Sequence, residues 1–133
     1  MLSSLFISNL ALIKNCEIDF KKGFNVILGQ SGAGKSILID ALSFVLGAKA
    51  DKTLIRSKEN TMRVEAVFDN LSESIKETLT SLDIEFEDEL ILSRTLNLDG
   101  KSTIRVNGVP VVLKTLKEIT LNLIDFCGQH DNV

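Results

Sequence analysis

A glycine-rich loop is the part of the chain whose residue types and spacing are most specific for chemistry. It lies in the segment Phe24 to Ser36, FNVILGQSGAGKS, and matches the pattern G-x-x-x-x-G-K-[ST]. Three glycines, Gly29, Gly32 and Gly34, permit backbone angles that a side chain would forbid. Consecutive N–H groups can then converge on phosphate oxygens, so the pattern predicts a phosphate-binding loop.

The two residues that end this loop add a charge and a metal ligand. Lys35 would bring its positive charge to the β and γ phosphates of a nucleoside triphosphate, and Ser36 would offer its hydroxyl to Mg²⁺. A helix that begins at this point would direct its partial positive end toward the same anion. The competing interpretation is a glycine loop that binds no ligand.

Both flanks of the loop have the context that a phosphate-binding loop requires. The apolar residues Phe24, Val26, Ile27 and Leu28 predict a buried strand before it. After it, apolar residues recur at helical spacing until Gly47, which is a suitable C-terminal glycine for a helix. The helical stripe consists of Ile37, Leu38, Ile39, Ala41, Leu42, Val45 and Leu46.

The rest of the chain predicts an α/β fold in which an antiparallel meander lies beside the phosphate-binding segment. Ser72 is a good N-cap for a helix, and Asp99-Gly100 and Asn107-Gly108 are hairpin signals. Pro110 would confine its strand to a sheet edge. Predicted strands cover 3–9, 16–20, 62–68, 89–98, 102–106, 109–112 and 121–126, and predicted helices cover 37–46, 71–82 and 113–120.

Composition indicates a globular protein without a global attraction to nucleic acid. The 133 residues are 44% hydrophobic and 25% charged, and the formal net charge is -3. The stretch from Lys49 to Arg63 has five basic and two acidic residues, which fits a DNA-facing patch or a solvated face. Cys16 and Cys127 suggest reduced thiols, and the sequence predicts neither a secretion signal nor a membrane span. We therefore expect a cytoplasmic protein.

A complete P-loop hydrolase also needs an acidic residue at the end of a hydrophobic strand, which holds Mg²⁺ through water. Asp125 follows the apolar run 121–124, but no glutamate stands beside it. Asp69 follows a strand whose alternation predicts a position away from the centre of the sheet. Neither residue makes a convincing Walker B acid, and the absence of an N-K-x-D element weakens a GTPase interpretation.

A longer pattern around these motifs resembles the RecN family of bacterial DNA repair proteins. It comprises ISNLALIKNCEIDFKKGFNVILGQSGAGKSILIDALSFVLGAKAD, then LIRS, and then LIDFCGQHD near the end of the chain. The P-loop, the GxxAD segment and the GQH sequence occur in that family's order and rough spacing. The family belongs with the SMC-like ATPases, whose heads are of the ATP-binding-cassette type, and the resemblance covers essentially the whole chain.

The resemblance implies a split active site. Residues 1–133 would form a single partial domain, the N-terminal half of a head, running from the P-loop to a glutamine loop. The coiled coil, the signature motif, the Walker B acid and the catalytic glutamate would lie outside it. Such a segment would bind ATP and Mg²⁺ and be inactive alone. It would associate with the C-terminal half of its own head, form head-to-head homodimers, and act on DNA through the full-length, nucleoid-associated protein in double-strand break repair and recombination.

The family's site residues can be carried over to matching positions of this sequence. Arg56 would lie close to phosphate or DNA, and Gln129 would contact Mg²⁺ or the attacking water and sense the γ phosphate. Ser36 and Gln129 would be the magnesium ligands. Without the resemblance, the sequence favours Gln129 as simply a polar residue at a strand end, and it favours His130 as an exposed loop residue over a ligand or base. The phosphates would be bound by Gly29, Gln30, Ser31, Gly32, Ala33, Gly34, Lys35 and Ser36.

Three hypotheses follow from these patterns. The first is an ATP-binding half-head of a DNA repair ATPase, which would bind ATP with little or no turnover. The second is a self-contained P-loop kinase or hydrolase that uses Asp125. The third is an interaction module in which the loop only stabilises the fold. The first hypothesis also predicts an apolar, open sheet face where the missing half of the head would pack.

Overall fold

One antiparallel sheet of six strands dominates the computed structural model, which describes residues 1–22 and 32–128, with side chains described for 1–21 and 36–123. The strand expected at 24–28 lies outside the described residues. The strands are β1 Leu2–Leu10, β2 Ile13–Asp19, β3 Thr61–Phe68, β4 Leu90–Asn97, β5 Ser102–Val106 and β6 Val109–Val111, and the helices are α1 Gly32–Val45, α2 Glu73–Ser81 and α3 Leu113–Gly128. Short 3-10 turns cover Phe20–Lys22 and Lys52–Leu54.

The sheet order is β2-β1-β3-β4-β5-β6, and each neighbouring pair is antiparallel. Alternation along β3 and β4 puts one set of side chains on a fully buried face, because successive residues of a strand point to opposite sides. Ala66 lies opposite Leu92 on that face, and both are completely buried. The described helices pack their apolar residues into the same core. The strands expected from alternation are therefore confirmed.

The position of β3 corrects one expectation. β3 pairs with β1 on one side and with β4 on the other, so it is a central strand. Its alternation reflects a sheet that is covered by helices on one face only, which is common in antiparallel sheets. Alternation therefore does not identify an edge strand here.

The other sheet face is open and mostly polar. Its residues are half-buried or exposed, and no described helix covers them. Only a few are apolar, such as Phe6 and Val67. The expectation of an apolar open sheet face is therefore wrong for the described residues. The polar members of this face include Ser4, Ser8, Asn15, Glu17, Arg63, Glu65, Ser93, Thr95, Thr103 and Arg105.

Turn chemistry defines the end of the meander as expected. Asn107 and Gly108 have positive φ angles of 50° and 84°, which suit the two-residue hairpin between β5 and β6. The Asn107 side chain also accepts a hydrogen bond from the Ile91 N–H and donates to the carbonyls of Glu85 and Glu89. Pro110 lies in β6 at the edge of the sheet, where a missing N–H breaks no inner ladder.

The C-terminal helix α3 replaces a predicted strand. The run 121–126 was expected to form a buried strand, but it continues the helix that begins at Leu113. Leu116, Ile119 and Leu123 are buried at helical spacing, whereas Leu121 is 59% exposed. The apolar run was too short to distinguish a strand from a helix by its length. The strand prediction for this segment is therefore wrong.

Candidate nucleotide-binding site

Helix α1 contains the second half of the glycine-rich loop. It begins at Gly32 and extends to Val45, so the backbone of 32–36 forms its first turn. Unpaired N–H groups and the positive end of the helix dipole therefore lie within the G-x-x-x-x-G-K-[ST] pattern. Ser36 is exposed. Gly29, Gln30, Ser31 and Gln129 lie outside the described residues.

The packing of α1 on the sheet fixes its long axis. Ala41, Phe44 and Val45 are buried on the covered face, where the helix lies over β3, with further contacts to β4 and β1. A helix of 14 residues is about 21 Å long at about 1.5 Å per residue. The sheet thus holds one part of a straight helix whose N-terminal turn carries residues 32–36 of the predicted phosphate-binding loop.

A buried arginine from β4 binds the C-terminal end of α1. Arg94 is 3% exposed. Its Nη1 donates hydrogen bonds to the carbonyls of Phe44, at 2.8 Å, and Ala48, at 2.6 Å. Its Nε donates to the Ser102 hydroxyl at 3.2 Å, and its guanidinium carbon lies 4.4 Å from the centre of the Phe44 ring. Burial lowers the pKa of the Arg94 guanidinium from its usual value.

Helix α3 also contacts the chain at the C-terminal end of α1. The Thr120 hydroxyl, which is almost fully buried, donates a hydrogen bond to the Leu46 carbonyl at 3.0 Å. Gly47 follows with a φ of 116°, and a Cβ added there would lie 3.3 Å from Cγ of Lys117. The helix therefore ends at a glycine, as the sequence predicted, because a left-handed backbone and a close neighbour coincide at this residue.

The loop after α1 is attached to the turn between β1 and β2. The Ala11 N–H donates to the Leu54 carbonyl at 2.7 Å, and the Arg56 N–H donates to the Asn9 carbonyl at 2.8 Å. The Asp51 side chain accepts from the Thr53 N–H and hydroxyl, which lowers the pKa of Asp51. These bonds fix the position of the LIRS segment that the sequence singled out.

Arg56 has a polar group without a hydrogen-bond partner in the part of the chain that the structure describes. Its side chain is half-buried, and its Nε is buried without a hydrogen bond among the described residues. Buried guanidinium groups normally use their donors, because an unpaired buried N–H costs free energy. An anionic ligand would provide an acceptor for this group.

Of the two acidic candidates for a Walker B residue, Asp69 lies at a strand end and Asp125 does not. Asp69 follows β3, but it forms an ion pair with Lys21 at 2.8 Å. The hydrogen bond to Lys21 lowers the pKa of Asp69, and the same bond raises the pKa of Lys21. Asp125 lies within helix α3, so its expected place at a strand end is wrong.

The described part of the site fits a magnesium-bound triphosphate. The start of α1 supplies N–H groups and a positive dipole end, Ser36 is accessible, and Arg56 has an unsatisfied donor. Within the described residues, no cluster of three or more His, Cys, Asp or Glu side chains could hold a metal alone. A loop serine together with phosphate oxygens is the usual way in which Mg²⁺ binds in P-loop proteins.

The sequence interpretation missed Arg94 and Thr120. A signal for Arg94 exists, since it occupies the third position of the buried alternation Leu90, Leu92, Arg94, Leu96. A charged residue on an otherwise apolar strand face indicates a buried polar partner. Thr120 has no comparable signal, because threonine is common on helices at half-buried positions.

None of the helices in the described ranges is long and apolar enough to cross a membrane.

Comparison with known protein families identifies relatives along nearly the whole chain. A family model described as an AAA domain matches residues 4–132. The chain is 39% identical over 136 residues to the DNA repair protein RecN of Bacillus subtilis. The alignment covers 99% of this chain but 23% of that protein. RecN of Vibrio cholerae is 39% identical over 132 residues, with coverage of 98% and 24%. The chain thus spans about a quarter of the length of these relatives.

Solved structures with the same fold are heads of SMC proteins. The SMC head domain from Thermotoga maritima is 27% identical, with a TM-score of 0.63, and covers 88% of this chain and 41% of that one. A second SMC structure, from a study of ATP-driven dimerization and DNA-stimulated activation, is 26% identical with a TM-score of 0.70. It covers 90% of this chain and 77% of that one. The expected P-loop ATPase fold is therefore confirmed, and the chain belongs to the AAA-domain family, in which it corresponds to the N-terminal head segment of the DNA repair protein RecN.

Proposed function

We propose that this chain binds Mg-ATP as the N-terminal half of a RecN-like ATPase head. The observation that carries the proposal is the start of α1 at Gly32, inside a G-x-x-x-x-G-K-[ST] loop, in a chain whose family match covers residues 4–132. Lys35 pairs with the β and γ phosphates, and Ser36 binds Mg²⁺. The resemblance adds Gln129 as a second magnesium ligand.

Arg56 contacts the bound phosphates in this proposal. Its Nε is buried without a hydrogen-bond partner among the described residues, and its backbone N–H donates to the Asn9 carbonyl. The anchored backbone would hold the guanidinium in place before the ligand arrives, which reduces the entropy lost on binding. A charge-assisted hydrogen bond to phosphate would then satisfy the Nε.

Binding without turnover is the expected behaviour of the chain alone. Asp69 follows β3 but is paired with Lys21, and Asp125 lies in a helix rather than at a strand end. We propose that the catalytic carboxylates come from a C-terminal half of the head. The alternative of a self-contained kinase or hydrolase that uses Asp125 loses its structural basis.

The partners of the whole protein are part of the proposal. A related SMC structure comes from work on ATP-driven dimerization and DNA-stimulated activation. By analogy, two heads of the full-length protein would associate around ATP and act on DNA during repair and recombination. This activity would take place in the cytoplasm, at the nucleoid. The polar, open sheet face is not assigned to either partner in this proposal.

The proposal is tested by measuring Mg-ATP binding to the chain by isothermal titration calorimetry. Lys35→Ala removes the cationic partner of the phosphates and should weaken binding at least about tenfold. Lys114→Ala is the matched control, because Lys114 is also a helix lysine and is exposed. An unchanged affinity in Lys35→Ala, or no binding by the unmodified chain, would overturn the proposal.

Turnover is the second measurement. No Mg-ATP hydrolysis above the level of Lys35→Ala fits a split site. Hydrolysis that disappears in Asp125→Ala would contradict it and favour a complete active site within this chain. If Mg-ATP neither bound nor raised the melting temperature, the loop would serve the fold alone.

A further inference from the structure

Arg94 is a buried positive charge whose described partners are all uncharged. Its guanidinium donates to two carbonyls at the end of α1 and to the Ser102 hydroxyl, and stacks on Phe44. Burial of a charge without a carboxylate is costly, and cores usually avoid it. The carbonyls at the end of a helix carry a partial negative charge, which offsets part of this cost. These hydrogen bonds therefore fix the C-terminal end of α1 to β4.

The contacts of Arg94 join three elements in one place. The side chain comes from β4. One acceptor, the Phe44 carbonyl, lies in the last turn of α1; the second, the Ala48 carbonyl, lies three residues past the end of that helix; and the third belongs to β5. A guanidinium can do this because its donors form a rigid planar fork, whereas a lysine ammonium is a flexible point donor. Arg94 thus fixes the end of α1 relative to the middle of the sheet.

The opposite end of α1 carries Lys35 and Ser36. A shift of one end of a rigid helix is passed on to the other end, and phosphate contacts depend strongly on position. The phosphates at the N-terminus and the guanidinium at the C-terminus also complement the same helix dipole. Each charge is therefore favoured by an intact α1 in the same position.

We propose that Arg94 is a positioning residue for triphosphate binding, which acts through α1 from the end farthest from the phosphates. This inference rests on the proposed Mg-ATP binding and adds a residue that the loop motif does not contain. Arg94 does not contact the nucleotide. Its effect on nucleotide affinity follows from the position and rigidity of α1.

The test compares Mg-ATP affinity and melting temperature in matched variants of the chain. Arg94→Met removes the hydrogen bonds while it keeps an apolar stem, and should raise the Kd for Mg-ATP about tenfold to a hundredfold. Leu90→Ala is the control, since Leu90 is fully buried on the same face of the same strand. It should lower the melting temperature by a similar or greater amount and leave the Kd within about twofold.

Arg94→Lys and Ser102→Ala keep the test decisive if Arg94→Met does not fold. Arg94→Lys keeps the charge but loses the fork, so its Kd should lie between those of the unmodified chain and Arg94→Met. Ser102→Ala removes one acceptor and should have a smaller effect in the same direction. A Kd unchanged in all folded Arg94 and Ser102 variants, with a lowered melting temperature, would show that Arg94 only stabilises the fold.

Hydrogen exchange gives a readout that a purely structural role would not change. By thermodynamic linkage, Mg-ATP should increase protection of the amides at 46–48 in the unmodified chain, and much less in Arg94→Lys. Equal ATP-dependent protection in both would overturn the inference. If the unmodified chain does not bind Mg-ATP, or Lys35→Ala binds normally, the proposed function fails first. If Lys35→Ala loses Mg-ATP binding as expected but Arg94→Met binds Mg-ATP normally, the proposed function stands and only the role of Arg94 is rejected.

Discussion

The hydroxyl of Thr120 on α3 donates a hydrogen bond of 3.0 Å to the carbonyl of Leu46, just past the end of α1. This contact joins two helices that approach the sheet from different parts of the chain. Since α3 leads directly to the predicted glutamine loop, Thr120 links the end of the phosphate-binding helix to the segment that carries Gln129. The bond is nearly free of solvent, because Thr120 is 1% exposed.

Thr120→Val should lower the free energy of unfolding by about 1–2 kcal/mol, because it leaves the Leu46 carbonyl without this donor in a buried position. The shape of the side chain is nearly unchanged, so little packing is lost. Chemical denaturation measures the change. Thr103→Val, at an exposed position of β5, should change stability by less than about 0.5 kcal/mol. Equal effects of the two substitutions would contradict the role of the hydrogen bond.

Gly47→Ala should destabilise the chain by more than about 1 kcal/mol, because φ is 116° and the new Cβ would crowd Lys117. Gly108→Ala is the matched case, with a φ of 84° and no atom within 4 Å of the added Cβ. It adds backbone strain alone, so its effect should be smaller. A double-mutant cycle with Lys117→Ala isolates the crowding. No relief of Gly47→Ala by Lys117→Ala would show that backbone strain accounts for the whole effect.

Ser72→Ala should cost about 1 kcal/mol, because the Ser72 hydroxyl accepts a hydrogen bond of 3.2 Å from the Ile75 N–H at the start of α2. Ser74→Ala, inside the same helix and exposed, should be neutral or slightly stabilising, because alanine has the higher helix propensity. Thermal unfolding of both variants measures the difference. A loss of stability in Ser74→Ala as large as in Ser72→Ala would argue against capping.

The ion pair between Asp69 and Lys21 predicts a pH dependence. Its hydrogen bond lowers the pKa of Asp69, so the pair adds stability above the ordinary aspartate pKa of about 4. That stability is lost as the pH falls through the lowered pKa of the folded state. NMR titration should show the low pKa, and Lys21→Ala should return it toward the ordinary value. A pKa of Asp69 that does not respond to Lys21→Ala would contradict the pairing.

Local chemistry allowed much of the fold to be predicted from the sequence. The strands β1 to β6 follow from alternation and hairpin turns, α2 follows from its serine cap, and the end of α1 follows from Gly47. These features depend on neighbouring residues, which is why one sequence shows them. The P-loop motif likewise specified a local strand, loop and helix, and the helix is confirmed.

Features that depend on distant partners were missed or wrong. The run 121–126 is helical because Leu116, Ile119 and Leu123 meet the sheet core, which the short apolar run did not reveal. The central place of β3 depends on pairing with both β1 and β4. Arg94 and Thr120 matter because their side chains reach α1, across the sheet and between helices. Residue spacing within a strand or a helix carries no record of such contacts.

β1 and β3 are hydrogen-bonded neighbours, although the whole segment 11–60, with β2 and α1, lies between them in the chain. Helix α1 therefore lies within a long connection between two strands that pair with each other. The entropy lost on closing such a connection rises only with the logarithm of the number of residues in it. An insertion into the segment 11–60 should therefore cost little stability through chain entropy alone, because the β1–β3 pairing does not depend on the length of that segment.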